Sequence, residues 1–138
     1  MLVTDAALSN EEVLLPARKI MRTISIRDVR RHEVVKDDRV PVLLRELSSP
    51  TFITIDEAGF WHRQLCHKAY CILYFALTSF QQEQIPALLR QLLHMPEFKT
   101  KAARTGKVAR LSLANIQYYQ LGERALHILS WPNVPGKK

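Results

Sequence analysis

Thr51-Phe-Ile-Thr-Ile-Asp-Glu-Ala-Gly-Phe-Trp61 is the stretch that decides the fold. Its first five residues are β-branched or aromatic, the composition of a short buried strand. Pro50 punctuates its start and Gly59 its end. Two acids, Asp56 and Glu57, follow at the strand's carboxyl tip, where open α/β sheets gather their ligands. A solvated loop acid or a helix N-cap is the competing reading of either one.

Working outward, the same pattern of apolar run, Thr and then Asp opens the chain at Met1–Asp5. Ser9 and Glu12 have the spacing of a capping box, and Leu14, Ala17, Ile20 and Met21 follow at helical intervals. Pro16 requires that helix to kink or to begin near Leu14. Thr23–Val29 alternates as a second strand, and residues 30–38 are polar and irregular, hence a loop. Val40, Leu43, Leu44 and Leu47 form an amphipathic stripe, with Pro41 tolerated in the first turn and Asp38 as the natural N-cap.

Ala69–Leu77 is almost continuously apolar, as expected for a strand covered on both faces. Ser79 and Gln82 offer another capping box, before a helix striped by Ile85, Leu88, Leu89, Leu92 and Leu93, with Pro86 again implying a late start. Pro96–Thr105 is expected to form a short basic helix closed by Gly106. Val108–Leu113 and Ile116–Leu121 pair as a C-terminal hairpin. Alternation of strands and helices predicts an α/β domain with a mostly parallel sheet over residues 1–130, its helices placed by right-handed crossovers. Trp131–Lys138 is expected to be a loose tail.

Nearly half of the 138 residues are apolar, enough for one core. No apolar run reaches the roughly 18 residues a membrane helix needs, and no secretion signal opens the sequence. With only two cysteines, Cys66 and Cys71, there is no disulfide framework, so a reduced, cytoplasmic protein is expected. The net charge of +7 is uneven. Residues 98–138 hold eight Lys/Arg and one acid, and the rest of the chain is balanced. Lys99, Lys101, Arg104, Lys107 and Arg110 form an acid-free run, which predicts contact with a polyanion such as RNA; a charge run that merely aids solubility is the alternative. Tyr118 and Tyr119 follow, and on a strand at most one of them faces RNA.

Asp5, Asp38 (or Asp37), Asp56 and Glu57 form the main candidate site. Carboxylates brought together repel and raise one another's pKa unless a cation intervenes. An all-oxygen set suits Mg²⁺ or Mn²⁺. His62, Cys66, His67 and Cys71 have zinc-ligand chemistry, but their spacing fits no finger or ribbon. Cys71 falls on a buried strand, where Cys behaves as a small hydrophobe. Phosphate-binding glycine loops and the serine-hydrolase elbow are absent from the sequence.

The segment Met1–Leu8, the helix opened by Asp38-Arg-Val-Pro-Val-Leu-Leu, and Thr51-Phe-Ile-Thr-Ile-Asp56 together resemble the PIN-like nucleases, in particular their small, toxin-type subfamily. Phe60-Trp61 and Leu65–Cys71 add to the resemblance, which covers roughly residues 1–95. It implies a PIN-like three-layer α/β domain and a ribonuclease site dependent on Mg²⁺ or Mn²⁺. In that scheme Asp5, Asp38 and Asp56 are catalytic and ligate metal, with Glu57 as a further ligand, and Asp37 and Asp38 are not separable by position. It also implies RNA as substrate and an antitoxin protein as partner. Exposed strand edges are compatible with a homodimer, and the sequence does not fix the oligomeric state. Many PIN domains carry another Asp two residues after the strand-end acid, where this chain has Ala58.

Overall fold

A computed structural model describes residues 1–30 and 35–132. Seven strands form one sheet: β1 (Leu2–Thr4), β2 (Thr23–Ser25), β3 (Thr51–Thr54), β4 (Cys71–Phe75), β5 (Lys107–Leu111), β6 (Ile116–Gln120) and β7 (His127–Leu129). Their order is β2-β1-β3-β4-β5-β6-β7. The first five are parallel, and β6 and β7 add antiparallel. The helices are α1 (Leu15–Arg18), α2 (Val40–Arg45), α3 (Glu57–Phe60), α4 (Ile85–Leu93) and α5 (Lys101–Arg104).

Alternation along the strands divides the core into two layers. Leu2, Ile53, Leu73 and Ala109 point to the face covered by Val13, Ala17, Ile85, Leu89 and Leu92. Val3, Phe52, Ile72 and Val108 point to the other, under Val40, Leu43, Leu44 and Phe60. The fold is therefore α/β, a mostly parallel sheet with helical elements on both faces. The β4 residues are all buried, as the unbroken apolar run required.

Pro16 and Pro86 delay their helices. A π-helical turn over Asn10–Leu14 precedes α1, and 3₁₀ turns over Ser79–Gln84 precede α4; Pro16 and Pro86 then sit in the first α-helical turns. Ser9 caps as expected, accepting from the Glu12 N–H at 3.1 Å. The second capping box lies one residue earlier than expected, on Thr78 and Gln81. Gln82 is instead buried and accepts from the Ser9 N–H at 2.7 Å, tying the two helical segments of that face together.

Several expectations need correction. The strand expected over Thr23–Val29 stops at Ser25, whose hydroxyl accepts from the Arg27 N–H and turns the chain into a 3₁₀ turn, Ile26–Asp28. Local side-chain bonds of this kind compete with the strand ladder. Asp38 does not cap α2: the N-cap is Arg39, with no side-chain bond. A strand absent from the sequence reading, β7, extends the hairpin to a three-stranded antiparallel edge. Trp131, expected in the loose tail, packs against the core and donates from Nε1 to the Ser112 carbonyl at 2.6 Å. Residues 31–34 of the expected loop and 133–138 of the expected tail lie outside the described residues.

The right-handed crossover rule holds only in part. The steps β3 to β4 and β4 to β5 run in the same direction across the sheet. The first passes over the α2/α3 face and the second over the α1/α4 face. Two such connections have opposite hands, so one of them departs from the usual preference.

Candidate functional site at the carboxyl edge

In this sheet β1 connects to β2 on one side, while β3 lies beside β1 on the other. The strand order reverses at that point, and crevices form there at the carboxyl ends of the strands. Asp5 follows β1 and Asp56 lies just beyond β3, so both acids open at this one edge. That the two acids open at the same edge agrees with the sequence reading.

Thr54 organises them. Its side chain is fully buried; the hydroxyl donates to Asp5 Oδ2 at 2.7 Å and accepts from the Asp56 N–H at 3.0 Å. Asp56 caps α3, its Oδ1 accepting from the Gly59 N–H at 3.1 Å. The cap reading of Asp56 holds, and capping uses one oxygen and leaves the second for other partners. Glu57, the first residue of α3, is exposed.

The acid contributed from the segment before α2 is Asp37. Its carboxyl approaches that of Asp56, both Oδ2 atoms lying around the same point beside Gly59. Partial burial first, then contact with the Asp56 carboxyl and the charges of Asp56, Asp5 and Asp38, push its pKa above the ordinary carboxylate range. Carboxyls placed this close disfavour one another's charged forms. Gly59 makes room for the pair: a Cβ there would lie 2.6 Å from Asp56 Oδ2 and 2.7 Å from Asp37 Oδ2. Sequence reasoning singled out neither Thr54 nor Gly59 for this site. Their signals were a Thr two residues before the strand-end acid and a Gly three residues after it.

The donor chemistry, carboxylate oxygen alone, fits a hard divalent cation. Among the described residues, however, no three His, Cys, Asp or Glu side chains are gathered closely enough to hold a metal ion as they stand. That applies to the acids and equally to His62, Cys66, His67 and Cys71. His62 bonds the Ala58 carbonyl at 2.5 Å, and the His67 ring stacks on Tyr70. Burial pushes the Cys71 thiol up to about 12, which leaves it a packed, unreactive group.

The expected basic patch does not form as one surface. Lys99 and Lys101 are exposed beside α5, which precedes β5 and so lies at the amino end of the sheet. Burial, and next the charge of Lys101, lowers the pKa of the Met1 amino group at that end. Arg104 is only 5 % exposed: its guanidinium donates to the carbonyls of Phe98 and Lys99 at 3.0 and 3.1 Å and to Thr51 Oγ1 at 3.3 Å. Lys107 is 8 % exposed, donates to the Ala103 carbonyl, and lies 5.8 and 5.3 Å from the ring centroids of Phe98 and Tyr118. Both cations serve structural roles: Lys107 satisfies a carbonyl at the end of the short α5, and Arg104 two carbonyls of the turn before it. Arg110 alone of the five lies towards the carboxyl edge. Tyr118 is buried and Tyr119 half-buried, as alternation demands.

Comparison with protein-family models, with curated proteins and with solved structures found no match for the chain. Among the described residues, no helix is long and apolar enough to cross a membrane.

Proposed function

We propose that this domain is a PIN-like, divalent-metal-dependent ribonuclease acting in the cytoplasm. The observation that carries the proposal is the approach of Asp37 and Asp56 beside Asp5 at the carboxyl edge, where burial first and then the acidic neighbours raise the Asp37 pKa. Asp5, Asp37 and Asp56 would hold Mg²⁺ or Mn²⁺, and Asp37 takes the place assigned by resemblance to Asp38. Glu57 and Asp38 lie next in sequence and would act through water at most. When bound, the ion supplies an activated water and charge stabilisation at a phosphodiester.

The chain's own residues prepare that pocket. Thr54 fixes the rotamer of Asp5, and the Gly59 N–H holds one oxygen of Asp56 while the other remains available. Asp37, on the exposed turn before α2, supplies the adjustable third carboxylate. A bound cation would offset the repulsion among these carboxylates.

The test is RNA cleavage with Mn²⁺ and with chelator. Asp56→Asn, which keeps a good capping residue, should leave the fold intact and abolish cleavage; cutting at the wild-type rate would remove the assignment. A second reading has one observation in its favour, the ungathered acid set: a domain that binds RNA or a partner protein without cleaving. It predicts salt-sensitive RNA binding and no cleavage at any Mn²⁺ concentration. An antitoxin-like partner and a homodimer belong to the same proposal, and co-purification and sedimentation test them.

A further inference from the structure

Register places Thr54 beside Tyr74, Tyr74 beside Arg110, and Arg110 beside Gln117. Residues paired in this way share one face of the sheet. The row lies on the α2/α3 face at the carboxyl edge, and Asp5 joins its end through the Thr54 hydroxyl. Arg110 stands two strands from Thr54, about 10 Å by the usual inter-strand spacing. It is half-buried, and among the described residues its guanidinium makes no hydrogen bond or ion pair. Burial raises the Tyr74 pKa first; the charge of Glu57 adds to the shift, and that of Arg110 opposes it. By register the tyrosine lies between Thr54 and Arg110.

An aromatic ledge adjoins this row. Tyr119 pairs with Val108, two residues from Arg110 on the same face. Trp61, at the end of the helix that Asp56 caps, lies over Tyr119 with ring centroids 5.1 Å apart, and both rings are half-buried. An unpaired guanidinium suits a phosphate, and an accessible ring suits a base.

We infer that Arg110 and the Trp61–Tyr119 ledge form the seat of a single-stranded RNA, with Arg110 positioning a phosphate for the acid pocket. The inference rests on the ribonuclease reading for its substrate, but it concerns binding and is measurable without cleavage. Arg110 is thus a positioning residue, and the cations at the amino end of the sheet take no part.

The test is fluorescence anisotropy of a labelled single-stranded RNA oligonucleotide with the Asp56→Asn chain in chelator, over a salt series. Arg110→Gln should weaken binding and lower the slope of log K against log salt by about 0.7, one phosphate contact on a single strand. Arg110→Lys should keep the slope, and Lys101→Gln should change neither quantity. Trp61→Leu should weaken binding about tenfold with the slope unchanged, because stacking releases no counterions. The inference is overturned if the chain binds no RNA, if Arg110→Gln retains the parental slope, or if Lys101→Gln loses as much as Arg110→Gln. Failure of the ribonuclease reading shows separately, as an absence of Mn²⁺-dependent cleavage by the unmodified chain.

Discussion

Thr54 and Asp5, 49 residues apart in sequence, meet hydroxyl to carboxylate at 2.7 Å where β3 lies beside β1. The same hydroxyl accepts from the Asp56 N–H, so one buried oxygen sets the position of two acids from two strands. Thr54→Val keeps the shape and removes both bonds. The expected cost is on the order of 1–3 kcal/mol, mostly from an orphaned Asp56 N–H, and Thr54→Ser should recover most of it. Urea denaturation of the three proteins measures this; a Val variant as stable as the parent would show that the hydroxyl organises nothing.

Gly59 predicts a separation of fold from site. Gly59→Ala places a methyl against the ends of two flexible carboxylates rather than against backbone. The protein should therefore fold with a small change in stability, while Asp37 and Asp56 are driven apart. Thermal unfolding with added Mn²⁺ should show stabilisation of the parent by ligand linkage and little or none of the variant. An undiminished Mn²⁺ response in Gly59→Ala would refute the role given to this glycine.

Asp37 carries a pH signature. Its folded pKa lies above its unfolded value, so its stabilising contribution is complete below the unfolded value of about 3.8. That contribution is lost as pH rises through the folded pKa. In metal-free buffer at neutral pH, Asp37→Asn should consequently melt higher than the parent, and the advantage should shrink on acidification through the upper carboxylate range. A variant that melts lower at neutral pH would mean that the acids do not repel.

Arg104 and Lys101 are neighbours in the same basic run with opposite expectations. Arg104→Met orphans the carbonyls of Phe98 and Lys99 and should cost roughly 3 kcal/mol. Lys101→Ala, at an exposed position, should stay within about 0.5 kcal/mol. Denaturant midpoints with unchanged m-values check both, and equal losses would contradict the burial difference between them.

The contrast between these two cations explains how far the sequence could be read. Continuous apolar runs and proline punctuation made β3, β4 and the delayed starts of α1 and α4 legible, because burial and backbone sterics act locally. The strand-end acids were legible for the same reason: a strand's end fixes where the next residue emerges. Charge carries no such local rule. Arg104 and Lys107 are buried because nearby carbonyls need donors, a demand created only once α5 is folded against β3 and Phe98. Choosing Asp37 over Asp38 likewise depends on a turn packed against Asp56, across the sheet layer. The strand β7, three residues long, has too few residues to show alternation and is defined by its ladder with β6.

The connection from β4 to β5 has a consequence for the order in which the molecule can be completed. By crossing on the face already occupied by the first helical segment, it makes Leu8, Val13 and Ala17 wait for Ile85, Leu89 and Leu92. A chain ending at Phe75 would contain every acid of the pocket and the whole α2/α3 layer, yet leave the underside of the sheet open to water. During synthesis, the half that bears the acids would thus emerge first and stay only partly covered until the residues after Phe75 arrive to close it.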